Sequence, residues 1–315
     1  MLKWALRVLI TLVVFVVVAV AAVYALGQYK LSQSVTVAQG ALAEQLSQGD
    51  PKRGAHFANF VVRCTSCHGA NGGGELLLQN IALGTISAPN LTRGPGGTGE
   101  FGDADWVRAL RFGGAPDGRP LLIMPSRDFA ELSHGDLADI VAYLRSLPPL
   151  SHTFPPPRLG PLAEAGVAFG MFHPDADEIR KDAPMPSNVP PAVSVAYGRY
   201  LARLGCMSCH GTHFSGGPMF DGTVAQNLTR SGDLGRWTFE QFKNALRTGR
   251  RPDGTSLSRK MPWPRVGQMT DDELHAVYLF LKSTPPSPPV ADRHARRDQS
   301  KLLSGFEFAL SAKRL

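Results

Sequence analysis

Two pentads, Cys64-Thr65-Ser66-Cys67-His68 and Cys206-Met207-Ser208-Cys209-His210, decide how this sequence is read. They use all four cysteines of the 315-residue chain, so none remains for a disulfide framework. The same landmarks follow each pentad in the same order. After the first come Asn90-Leu91-Thr92-Arg93, Ala109-Leu110-Arg111, Pro116-Asp117-Gly118, Met124-Pro125 and a segment ending Tyr143-Leu144-Arg145-Ser146. After the second come Asn227-Leu228-Thr229-Arg230, Ala245-Leu246-Arg247, Pro252-Asp253-Gly254, Met261-Pro262 and a segment ending Phe280-Leu281-Lys282-Ser283. The chain is a tandem repeat.

The last segment of each half starts as a helix should, with Ser133-x-x-Asp136 and Thr270-x-x-Glu273 placing a capping hydroxyl and an acid in the first turn. Apolar residues then recur at helical spacing: Leu137, Ile140, Val141 and Leu144, against Leu274, Val277, Tyr278 and Leu281. Pro148 and Pro285 stop them. No run of alternating strand residues stands out, so the expected fold class is all-α, two small helical domains in tandem. The boundaries read as 31–150 and 192–290. Between them, 151–191 is proline-rich and reads as a linker, in which Leu162 to Phe172 has the composition of one short helix. Residues 291–315 form a basic tail, weakly amphipathic from Lys301 onward.

Residues 1–30 are a different kind of sequence. From Val8 to Leu26 only Thr11 and Tyr24 interrupt an apolar run, and nineteen residues at about 1.5 Å each match a bilayer core. Lys3 and Arg7 precede the run and keep the amino end inside, so the body is exported. A cleaved secretory signal shares the basic start and has a suitable Ala19-Val20-Ala21, but its apolar stretch is usually shorter; length favours a retained transmembrane anchor. The formal charge of +7 is concentrated at the ends, +3 in residues 1–30 and +3 in 291–315, leaving +1 over 31–290. A body so nearly neutral is not built to bind nucleic acid.

Cys-x-x-Cys-His is the attachment site of c-type haem: both thiols become thioethers to the porphyrin, and the histidine takes an axial iron position. Two residues between the cysteines turn the backbone so that both sulfurs reach one ring edge. Zinc needs four ligands per site, and the other cysteines lie in the other half; a redox dithiol needs no histidine. The expected cofactors are therefore two covalently bound haem c groups, on Cys64, Cys67 and His68 and on Cys206, Cys209 and His210.

Each iron has a second axial position. Met124 is the only methionine between His68 and the linker, whereas Met219, Met261 and Met269 compete in the second half. Met124 stands nine residues before Ser133, Met261 nine before Thr270, and a proline follows both; Met269 then corresponds to Leu132, an apolar filler. Met124 and Met261 are the expected ligands, and thioether sulfur favours ferrous iron. His213 is too close to His210 to cross the ring, while His173, in the linker, reads as a solvated side chain. Arg93 with Arg230, and Arg111 with Arg247, are candidates to pair haem propionates.

These residues resemble tandem class I cytochrome c domains, and more specifically the membrane-anchored dihaem cytochromes related to the cytochrome c subunits of bacterial membrane dehydrogenases. The carriers are Arg53-Gly54 and Gly198-Arg199-Tyr200-Leu201, Pro89-Asn90-Leu91-Thr92 and Asn227-Leu228-Thr229, the Ala-Leu-Arg segments and Met-Pro. The resemblance implies that the Pro89 and Gln226 carbonyls accept the ring N–H of the axial histidines, Gln226 standing where the family has proline. It also implies a protein with no catalytic residues of its own, which carries single electrons on the periplasmic side of the cytoplasmic membrane. Its partners would be redox proteins, such as a dehydrogenase or oxidase complex. The competing reading is a dihaem peroxidase or thiosulfate-oxidising enzyme; the first needs an open or switchable iron and the second a fifth cysteine.

Overall fold

Leu2–Leu31 form one unbroken helix, α1, whose most apolar window has a mean hydropathy of 3.0 and no residue buried against the protein. It is long and apolar enough to cross a membrane, which fits an anchor. The computed structural model describes residues 1–42, 45–182, 186–219 and 223–288. The chain divides into one unit of Met1–Asn59 with Arg63–Ser187 and a second that takes in Phe60–Val62 and resumes at Asn188. The basic tail lies outside the described residues.

In the first unit, α2 (Pro51–His56) starts at Asp50, whose carboxylate accepts the Lys52 N–H at 2.8 Å, and runs on into one wide turn over Phe57–Val61, whose residues from Phe60 onward count with the second unit. After the pentad come β1 (Glu75–Asn80) and β2 (Gly84–Ala88), an antiparallel hairpin, then α3 (Asp103–Phe112) and α4 (Ser126–Phe129). The last helix, α5 (His134–Ser146), begins where the sequence places it, with the Ser133 hydroxyl accepting the Asp136 N–H at 3.2 Å. It crosses α2 so closely that a Cβ on Gly54 would lie 1.8 Å from the Asp139 carbonyl oxygen. Arg53 locks the crossing with ion pairs to Asp136 and, at 2.7 Å, to Asp139. Leu137, Ile140 and Val141 are completely buried there; at about 25 cal/mol per Å2 of apolar surface, such side chains dominate the stability of the crossing.

The second unit repeats the plan. Helix α7 (Val195–Gly205) leads into α8 (Met207–His210); β4 (Gly217–Pro218) pairs with β5 (Val224–Ala225); α9 (Phe239–Thr248), α10 (Trp263–Val266) and α11 (Asp271–Ser283) complete it. A Cβ on Gly198 would lie 1.8 Å from the Ala276 carbonyl oxygen, so α7 crosses α11 as α2 crosses α5. Of the four residues read as the inner stripe of α11, Leu274, Val277 and Leu281 are buried, while Tyr278 lies at the edge and donates its hydroxyl to the Trp237 carbonyl at 3.0 Å.

Two expectations need correcting. The units are helical but not all-α, because β1 and β2 form a sheet extended by β3 (Arg158–Leu159). This hairpin has no periodicity to detect: Leu76 and Leu77 are both exposed, and the register slips between Leu76 and Leu78. Nor is the expected linker, 151–191, mainly a spacer, since up to Ser187 it belongs to the first unit, with a helix where Leu162 to Phe172 suggested one. Its β3 pairs with β2, and its helix α6 (Pro161–Ala168) packs on α1. The contacts that fix it are with residues far away in sequence, so proline content alone suggested an extended connection.

Candidate haem sites

Each pentad is wound so that its first cysteine and its histidine lie one turn apart. The His68 N–H reaches the Cys64 carbonyl at 3.0 Å, and the His210 N–H reaches the Cys206 carbonyl at 2.9 Å. Arg63, at φ 59°, makes the left-handed step that starts the first turn. None of the four cysteines is in a disulfide. Burial pushes the Cys64 thiol up to about 12 and raises Cys67 as well, with Glu75 adding to the latter.

The imidazoles are set by the loops opposite. Nδ1 of His68 lies 2.8 Å from the Pro89 carbonyl oxygen, and Nδ1 of His210 lies 2.7 Å from that of Gln226. A carbonyl oxygen can only accept, so each Nδ1 carries the ring proton and each Nε2 keeps its lone pair for a metal. Burial lowers the His68 pKa, the Pro89 contact only partly opposing it, a shift toward the neutral form that metal ligation requires.

The donor set fits haem c. Among the described residues no three His, Cys, Asp or Glu side chains converge as a self-sufficient metal cage requires. A porphyrin brings four in-plane nitrogens and asks the protein for thiols and axial donors, which is what each pentad presents. The chain carries two covalently bound haem c groups.

The loops that carry Met124 and Met261 are built alike. Gly113 and Gly249, at φ 66° and 72°, end α3 and α9. Small turns closed by Gly114 with Pro120, and by Arg250 with Ser256, follow them. The Met124 carbonyl then accepts the Ser126 N–H at 2.7 Å and the Met261 carbonyl accepts the Trp263 N–H at 2.8 Å. Both methionines are half-buried. Leu132 and Met269, at 0% and 5% exposure, fill the core at matching positions. Met219 sits in the β4–β5 turn, its N–H on the Thr223 carbonyl at 2.7 Å.

Arg111 and Arg247 hold the segments that join α4 to α5 and α10 to α11. Arg111, itself buried, donates to the Leu132 carbonyl; Arg247 donates to the Gly267 carbonyl and pairs with Asp271 at 2.7 Å. Their recurrence in both halves thus has a structural cause, whereas Arg93 and Arg230 are exposed. His173 pairs with Glu178 at 3.3 Å.

Sequence reading missed what Asn90 and Asn227 do. Asn90 accepts the Thr92 N–H at 2.8 Å and donates to the Leu150 carbonyl at 2.7 Å; Asn227 accepts from Thr229 at 2.8 Å and donates to Ser287 at 2.8 Å. Each asparagine ties the loop behind its histidine to the chain beyond the last helix. Their place next to the histidine-supporting residue was the available signal. Also missed was a strap against α4, where Asp175 accepts the Arg127 N–H at 3.1 Å and Glu178 pairs with the Arg127 guanidinium.

The model of the family described as Cytochrome c matches residues 52–148 and 195–285. The cytochrome c subunit of the quinone alcohol dehydrogenase of Gluconacetobacter polyoxogenes is 29% identical over 272 residues, covering 76% of this chain and 56% of that protein. A diheme cytochrome c-type protein of Cereibacter sphaeroides is 27% identical over 268 residues, 75% of this chain and 86% of that one. The gluconate 2-dehydrogenase cytochrome c subunit of Pantoea cypripedii is 34% identical over 98 residues, 28% of this chain and 22% of that protein. The chain thus spans little more than half the length of the alcohol dehydrogenase subunit.

Proposed function

This chain belongs to the cytochrome c family, and from that premise we propose that it is a dihaem electron carrier, working as, or with, the electron-transfer subunit of a membrane dehydrogenase. Each of the two units holds one haem. Cys64 and Cys67, and Cys206 and Cys209, make the thioethers; His68 and Met124, and His210 and Met261, are the axial pairs. Bound haem supplies a one-electron couple. The protein holds the Nδ1 protons on Pro89 and Gln226, which raises imidazole basicity. It also presents thioether sulfur, which favours the ferrous state. Closed axial positions leave nothing to exchange when the charge changes, as a carrier needs.

The helix α1 anchors the chain, with Lys3 and Arg7 on the cytoplasmic side and both domains in the periplasm. Donor and acceptor are redox proteins at that face: a dehydrogenase or quinol-oxidising complex upstream and a terminal acceptor downstream.

The observation that supports this reading is the duplicated frame: in each half the histidine Nδ1 rests on a loop carbonyl, and the Met-Pro pair opens the same short turn. Carbon monoxide added to the reduced holoprotein tests it. The carrier reading expects no spectral change at either haem; binding at one would reveal an open iron and favour the peroxidase or thiosulfate-oxidising alternative. Mild-detergent extraction should bring the chain out with a dehydrogenase or oxidase partner.

A further inference from the structure

The helix α6 grips the end of α1. Lys30 Nζ donates to the Val167 and Ala168 carbonyls at 3.2 and 2.8 Å, and the Gln28 amide donates to the Glu164 carboxylate. The backbones meet at Gly27, where a Cβ would lie 2.8 Å from the Glu164 carbonyl oxygen. This is the turn by which α1 leaves its apolar run, just beyond Leu26. Leu162 near the start of α6, and Phe169 and Met171 just past its end, are bare apolar side chains. Leu162 is 63% exposed, Phe169 69% and Met171 83%. From Leu159 to Phe172 Glu164 is the only ionisable residue, and it is buried toward α1. The turn between β1 and β2 lies alongside: the Leu162 N–H bonds the Ala82 carbonyl at 3.0 Å, and Ile81 is 94% exposed.

A soluble surface seldom leaves such side chains together without a partner. Here the position names the partner, because a helix packed on the last turn of a membrane span lies at the depth of the lipid headgroups. Tyr24 and Tyr29, exposed on α1 near the same level, suit that boundary.

We propose that α6 and the β1–β2 turn form a second, interfacial membrane contact, sinking Leu162, Phe169, Met171 and Ile81 into the outer leaflet and fixing the first haem domain against the bilayer. This rests on α1 being a membrane anchor. An apolar helix lying in the interface binds by its buried area, and the Lys30 and Gln28 contacts make it one piece with the anchor. The first domain is then held at a set height instead of swinging on a tether.

The test places the photoreactive residue p-benzoylphenylalanine at position 169 or 171 of the full-length holoprotein in phosphatidylcholine–phosphatidylglycerol nanodiscs and in native membranes. The same residue at position 15, within α1, and at exposed position 52, in α2, serves as a control. Mass spectrometry reads the adducts. Phospholipid adducts at 15, 169 and 171, lost at 52, are expected. Lipid at 15 but none at 169 or 171 overturns the proposal while leaving the anchor intact. An adduct from 169 or 171 to another polypeptide instead of lipid shows a protein-binding face and overturns it equally. No lipid at 15 removes the anchor reading, and the proposal with it.

Discussion

The Nδ1 atom of His210 lies 2.7 Å from the carbonyl oxygen of Gln226, the position that His68 shares with Pro89 in the other half. What holds the ring is the backbone, so a side chain without the rigidity of proline serves the same purpose. Gln226 itself is exposed. Gln226→Pro should therefore retain both haems at full stoichiometry with an unchanged spectrum, because proline keeps its carbonyl. Haem content and the absorption spectrum check this.

Gly54 and Gly198 are demanded by contact rather than by backbone angle. At either, a methyl group would be driven to 1.8 Å from a carbonyl oxygen of the last helix. Gly54→Ala and Gly198→Ala should each cost about 3 kcal/mol or more by forcing the helices apart. Denaturant unfolding of the holoprotein measures it; a loss below about 1 kcal/mol would contradict the close crossing.

Asn90 and Asn227 make the same two bonds in different surroundings. Asn90 is 1% exposed, and Asn90→Ala would strand a buried N–H and carbonyl, costing about 2–3 kcal/mol. Asn227 is more open, and Asn227→Ala should cost about 1 kcal/mol. Chemical denaturation of the two variants should rank them in that order.

Glu164 makes the contact of α6 with α1 sensitive to pH. Burial raises its carboxyl pKa more than the Gln28 bond lowers it, and Oε2 has no hydrogen-bond partner. A group whose pKa is higher folded than unfolded stabilises the contact at acid pH and loses that contribution as pH rises through the folded value. Protection of α6 amides, corrected for intrinsic exchange, should fall as pH climbs from acid to neutral. Glu164→Gln should flatten that profile.

Much of this was legible because the chain says it twice. The caps at Ser133 and Thr270 form as their spacing implies, each accepting an N–H at 3.2 Å. The core role of Met269 followed from its alignment with Leu132, and both are buried. What has no duplicate was hidden. Thr85 pairs with Arg158 across 73 residues, and nothing local announces it. The Arg111 guanidinium satisfies carbonyls between α4 and α5, a role that arginine chemistry alone could not distinguish from anion binding.

The most direct test of the central claim is the sulfur-to-iron charge-transfer band of the oxidised holoprotein. Two axial thioethers require two-haem intensity, reduced by half in Met124→Ala and by half in Met261→Ala, and unchanged in Met269→Leu, which keeps the core filled. Half intensity in the unaltered protein, or loss of the band in Met269→Leu, would contradict it.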